Sequence, residues 1–396
     1  MGKSRADRRR ATAAEMVPAL GTLVEKFRVW RADRSQRFDY GVSPTLGFVI
    51  SERHGNADVG LALDLIESRL LDWAPGEWEV TDPFSSLVPL PGHRLLEKYI
   101  LHSGASSWQT ELGEWVVDQL LDFAGSRTES VIVWFGVENA EFDKDIALER
   151  GLRLRRLSPA EKAAYQSRSS CLHRVWYGDL AGWIVECRVR TGRGFREVVD
   201  GGILKARQLS EAVHSAIQLH TDHQVALIEL EHRSVNIFSS VRPTMMDRRA
   251  PVIVDWGGPA IRSVAVKSGW PSIKQIAGHV NHPLAEPLQR LALASTKERA
   301  RDSLLDLAIG LEPLFAGGRR HIRDTFIRNG TRILSQSAPG RDWASTLAEL
   351  RDVRNDLVHG KANAKRSEAE LRAMVTAARQ ALRLGLAAKM GLTPTV

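Results

Sequence analysis

The chain has 396 residues, 43% of them hydrophobic and 26% charged, which suits two or three globular domains and argues against wholesale disorder. Its formal charge of +8 gathers at the ends: residues 1–10 carry +4, residues 291–396 carry +7, and the stretch between carries −3. A basic end on a weakly acidic body points to a polyanionic partner, although basic helices also serve simply as solvated surfaces.

No apolar run reaches the roughly 18–20 residues that a membrane-spanning helix needs. The N-terminus, MGKSRADRRR, has no apolar segment behind its basic stretch, and Ala6 stands where a myristoylation signal wants Ser or Thr. The expectation is a cytoplasmic protein with no membrane partner. Two cysteines, Cys171 and Cys187, are too few for a disulfide framework or a cysteine-based zinc site.

In chain order, residues 1–35 read as a basic, mostly helical lead-in. Residues 57–74 and 109–124 carry apolar residues at helical spacing. Residues 130–137 (SVIVWFGV) form a buried strand by pattern, and 152–157 (LRLRRL) alternates before Ser158-Pro159-Ala160-Glu161, a helix-start signature. Trp183, Val185, Cys187 and Val189 alternate on one face of a strand over 183–190. A Gly/Arg loop (Thr191–Gly194) leads to a helix over about 203–219. Residues 224–231 and 234–240 resemble a hairpin, and 252–256 (VIVDW) a further short strand. Residues 36–282 thus read as a mixed α/β region, one domain or two with a possible split near 170.

From 283 to 396 the pattern is purely helical. Ser295-Thr-Lys-Glu298 is a capping-box sequence, and the helix after it carries Leu304, Leu307, Ala308, Leu311 and Leu314 on one stripe before Gly317-Gly318. A second helix spans about 319–336. Asp342 can cap a third, ended by Gly360, and Ser367-Glu-Ala-Glu370 opens a fourth. Four amphipathic helices with short connections predict an antiparallel bundle, so the fold class is α+β.

The third helix reads Asp342 to Gly360. On a helical wheel Trp343, Leu350, Val353 and Leu357 face the core, with Arg354 just past its edge. Leu347, Arg351, Asn355, Val358 and His359 fan out beyond that edge in a second, half-apolar stripe, which predicts a second packing partner. Arg354 and His359, five residues apart, lie about 140° apart on a regular helix. They converge on one phosphate if the last turn loosens, or if two copies meet across a two-fold axis. An arginine fork beside an imidazole is what metal-free RNA cleavage needs, the first to hold a phosphate and the second to move protons near neutral pH.

Arg354-Asn-Asp-Leu-Val-His359 resembles the R-x(4–6)-H signature of HEPN domains, and Leu304-Leu-Asp-Leu-Ala-Ile-Gly-Leu-Glu-Pro-Leu-Phe315 resembles the first helix of their ApeA-like branch, with Gly310 and Pro313 as departures that predict a bend. The resemblance covers about 285–390. It implies a metal-independent ribonuclease, active as a homodimer and often a toxin or anti-phage effector. By position Arg354, Asn355 and His359 would be catalytic, Asp306 and Glu312 would orient them, and Arg351 would support the site. RNA is the implied partner, a phage component or antitoxin a further one, and no cofactor is expected. The plainer alternative leaves Arg354 and Asp356 as surface charges and His359 as a cation at a helix C-terminus. A non-catalytic RNA- or nucleotide-binding module is the other rival. A metal at His214, His220, Asp222 and His223 is not expected, because these residues straddle a helix end at no familiar ligand spacing. Gly192-Arg-Gly194 is too short to cradle a phosphate.

Overall fold

A computed structural model describes residues 4–33, 44–73, 91–103, 107–126, 128–168, 182–192, 197–221, 223–236, 244–245, 260–279, 281–297, 299–316, 322–359 and 366–392. The fold is α+β. It divides into two compact units, the first of residues 1–131, 190–202 and 233–243, the second of 132–189, 203–232 and 244–396. The units therefore do not divide at 35 or at 283.

The first unit is helical: α1 (Arg5–Asp33), α2 (Pro44–Glu52), α3 (Ala57–Trp73), α4 (Pro91–Ser103) and α5 (Thr110–Ala124). The expected lead-in is its central helix. Met16, Leu20, Leu23, Val24 and Phe27 recur at helical spacing and are buried, and α1 packs on α3, α4 and α5.

The second unit holds most of a six-stranded sheet in the order β3-β4-β5-β1-β6-β7, with β1 (Thr128–Glu138), β3 (Ile146–Glu149), β4 (Leu152–Arg156), β5 (Trp183–Gly192), β6 (Ala226–Ser234) and β7 (Thr244–Met245). The pairs β3/β4, β4/β5 and β6/β7 are antiparallel. A parallel pair of short strands, β2 (Glu141–Phe142) and β8 (Ala260–Ile261), stands apart. Alternation on β5 holds: Trp183, Val185, Cys187 and Val189 are all buried, and burial pushes the Cys187 thiol up to about 12. On the opposite face Glu186 is also buried. It accepts from Trp134 Nε1 at 3.3 Å and pairs with Arg153 and with Arg155 at 2.8 Å. Arg155 in turn meets Glu161 of α6 (Pro159–Arg168), whose first turn has the expected Ser158–Glu161 box.

The hairpin partner expected at 234–240 is not formed where described. β6 runs through Ser234, residues 235–236 bend away, and β7 supplies the antiparallel neighbour, while 237–240 and the strand expected at 252–256 lie outside the described residues. A π-helical turn (Glu197–Ile203) enters α7 (Leu204–Gln218). Next come α8 (Ser263–Ala277) and α9 (Ala285–Ala294), then α10 (Ala300–Ala316), α11 (Ile322–Ser337), α12 (Trp343–Val358) and α13 (Glu368–Met390).

The last four helices pack on one another, and α9 packs on α10, α13 and α7. Ser295 does not open a helix as expected. It ends α9, fully buried, with its hydroxyl donating to Ala292 O at 2.6 Å and facing His214 Nε2 at 3.0 Å. Glu298 lies outside the described residues, and the following helix starts at Ala300. Burial against α7 claimed the serine before a cap could. The capping box at Ser367–Glu370 and the Asp342 cap both form as the residues predict. Gly317, Gly318 and Gly360 lie outside the described residues.

Helix α10 continues through Gly310 and Pro313. The glycine has a packing reason, since a Cβ there would stand 3.0 Å from both Arg290 Cβ of α9 and Leu382 Cδ2 of α13.

Candidate functional site

The site helix α12 begins with the Asp342 carboxylate accepting from the Ser345 hydroxyl and from the Ser345 amide, bonds that hold the acid below its usual range. Trp343, Leu347, Leu350, Val353 and Leu357 form its buried stripe. Leu347 thus belongs to the core and not to a second stripe. It lies against α11, where a Cβ on Gly330 would come within 2.5 Å of its Cδ1. The missing side chain on Gly330 made room for a residue that the wheel of α12 alone puts outside. Of the expected outer stripe, Arg351 and Asn355 are partly buried, and Val358 and His359 are exposed.

Arg354 is fixed from two sides. Its Nη2 donates to Glu312 Oε2 of α10 at 3.3 Å and its Nη1 to Asn355 Oδ1 at 3.2 Å. Three of the expected residues, Glu312, Arg354 and Asn355, are thereby in one cluster. The Arg354 side chain is 27% exposed and that of Glu312 33%, so the pair borders solvent. Arg351, one turn back, lies 5.9 Å from the ring centroid of Phe326 on α11. A shallow cleft between α10, α11 and α12 is lined by Leu311, Glu312, Phe326, Arg351 and Arg354. Two donors beside it, Arg351 Nη1 and Arg354 Nε, are buried and make no hydrogen bond among the described residues.

Asp306 is elsewhere. It pairs with Arg290 at 2.7 Å and Lys297 at 3.6 Å, fastening α9 to α10. Six residues separate it from Glu312, which turns it to another face of the same helix. It orients neither Arg354 nor His359.

His359 is the C-cap of α12. Its amide still bonds to Asn355 O at 3.0 Å, so the helix does not loosen before it, and the offset of about 140° from Arg354 persists within one chain. Arg301, which sequence reasoning passed over, extends from α10 to the Leu357 carbonyl at 3.4 Å. That adds a cation beside His359 at the negative end of the helix. Phe326 was passed over too, because an aromatic at core spacing carries no sign that an arginine will lie on it.

The Nε2 of His214 donates to Val225 O at 2.7 Å, and burial pulls its pKa down to about 4. His220 is pulled down to about 4 by burial and by Arg383. Asp222 lies outside the described residues. Among the described residues no group of three or more His, Cys, Asp or Glu side chains is disposed to hold a metal, and no helix is long and apolar enough to cross a membrane.

No protein-family model matches the chain, and neither the curated proteins nor the solved structures include a match to it.

Proposed function

We propose that the C-terminal bundle is a metal-independent endoribonuclease of the HEPN type, working as a homodimer in the cytoplasm. The N-terminal region would control it as a toxin or anti-phage effector. The observation that carries this reading is the held guanidinium of Arg354. Glu312 and Asn355 fix it at the edge of the core, with a buried donor still unsatisfied, on the helix that ends in exposed His359. An arginine so fixed meets a phosphate with little side-chain freedom left to lose.

In the reaction, Arg354 binds the non-bridging oxygens of the scissile phosphate. His359 takes the proton of the ribose 2′-OH as that oxygen attacks phosphorus, and the 5′-oxygen leaves with a proton from the second copy's His359. The products are a 2′,3′-cyclic phosphate and a 5′-hydroxyl. DNA has no 2′-OH and survives.

The two-copy arrangement follows from the 140° offset, which leaves one chain with the phosphate clamp and the imidazole on different sides of α12. The surface for it is smaller than the sequence suggested. With Leu347 in the core, Val358 is the apolar residue that remains, beside Asn355 and His359.

The test is incubation of pure protein with total RNA in EDTA, comparing wild type with His359→Ala. Cleavage by wild type and none by the variant is expected. Cleavage that requires Mg²⁺ would overturn the mechanism. The same offset favours a second reading, in which the arginines bind RNA or a nucleotide without cutting it. RNA retained on the protein and recovered intact would support that reading instead.

A further inference from the structure

We propose that the cleft between α1 and α3 binds a mononucleotide, a planar base carrying phosphate. This does not rest on the ribonuclease reading.

The two helices run antiparallel, since Glu15 meets Arg69 and Lys26 meets Asp58. Along α1, Arg5, Arg8, Thr12 and Glu15 recur at i, i+3, i+7 and i+10, so they share one face over the cleft. From α3 come Arg69, Asp72 and Trp73, and the half-open space between the two helices is ≈ 350 Å³. Small-molecule sites run from about 300 to 1,000 Å³, so this one suits a single nucleotide better than a longer chain.

The charges sort along the seam. At one end Arg69 takes both carboxylates, Glu15 at 2.5 Å and Asp72 at 3.0 Å. At the other end Arg5 and Arg8 have no carboxylate partner among the described residues. The wall at that end is fixed. Arg5 donates to Gly125 O at 2.6 Å, Trp73 Nε1 donates to Leu121 O at 2.9 Å, and the guanidinium lies 5.6 Å from the Trp73 ring centroid. Both groups are thus tied to the same end of α5.

Two exposed arginines with no carboxylate partner among the described residues can meet an anion with several acceptor oxygens, and a guanidinium fork fits phosphate. The Arg5 guanidinium covers the Trp73 ring, and the outer plane of that stack is a surface for a base. The Thr12 hydroxyl spends its proton on Arg8 O, which leaves its lone pairs for a ribose hydroxyl. A stacking plane, an acceptor for a sugar hydroxyl and guanidinium donors for a phosphate together describe a nucleotide, whereas a bare anion would leave the stacking plane unused.

The experiment is equilibrium dialysis of labelled AMP and GMP against the full chain, with adenosine, guanosine and inorganic phosphate as competitors. A nucleotide should bind, and each fragment should compete at least about tenfold more weakly. Arg8→Glu should weaken binding at least about tenfold at an unchanged melting temperature, and Arg10→Glu, outside the cleft lining, should leave it as it was. Arg8→Gln serves in its place if the charge reversal unfolds the chain. Absence of nucleotide binding at millimolar concentration would overturn the proposal. So would phosphate competing as well as the nucleotide, or full binding after loss of Arg8.

Discussion

Arg354 Nη2 lies 3.3 Å from Glu312 Oε2, a contact between the third bundle helix and the first across 42 positions of sequence. Both side chains keep about a third of their surface in water, so the bond positions the guanidinium more than it stabilises the fold.

Arg354→Ala should therefore cost no more than about 1 kcal/mol of stability. RNA cleavage should fall roughly 10²-fold or more, because a phosphate clamp acts in the transition state. Glu312→Gln should lower the rate less, since an amide oxygen still accepts from the guanidinium. Single-turnover rates alongside thermal melts separate the two effects, and a wild-type rate in Arg354→Ala would move the chemistry elsewhere.

Gly330→Ala tests the packing that drew Leu347 into the core. The added methyl would sit 2.5 Å from Leu347 Cδ1 and 3.0 Å from Phe315 Cδ2. A destabilisation of about 1–3 kcal/mol is expected from such overpacking. Urea unfolding measures it, and an unchanged midpoint would contradict the close approach of α11 to α12.

In the sheet, Glu186 is buried and depends on its arginines for charge compensation. Arg155→Met removes the more buried of them and, with Arg153 and Trp134 still on the carboxylate, should cost about 1–3 kcal/mol. The double variant Arg155→Met with Glu186→Met should recover most of that loss. Failure to recover would mean that Arg155 matters through its stack on Trp134, 5.5 Å away, more than through its charge.

Acid should loosen the junction of α7 with α9. Burial lowers the pKa of His214 from 6.5 to about 4, so between those values the unfolded chain binds the proton and the folded chain resists it. Stability is complete above pH 6.5 and declines as pH falls toward 4, by on the order of 3 kcal/mol for this one residue. His220, shifted in the same direction, adds to the slope. Melting temperatures from pH 7.5 to 4.5 should fall less steeply in His214→Gln than in wild type. Parallel curves would exclude His214 as the cause.

Local chemistry was legible in the residues themselves. The caps at Asp342 and Ser367 form because a short side chain meets an amide three residues on, which needs no distant partner. The alternation that buries Trp183, Val185, Cys187 and Val189 is likewise a property of one strand. Along with the helical stripes from 57 to 73 and from 110 to 124, these determined the α+β class before any contact was known. Tertiary structure decided whatever depended on a second element. Ser295 had a capping-box sequence, yet α7 and His214 engaged it first. Leu347 had an outward place on its wheel, yet an absent side chain on Gly330 opened the core to it. Asp306 and Glu312 sat in one motif, but the faces of α10 sent the first to Arg290 and the second to Arg354. The cleft over Arg8 and Trp73 had no signal in sequence, because its walls come from helices that meet only when the first unit folds around α1. A side chain's periodicity names its face, while its partner is set by what the rest of the chain brings to that face.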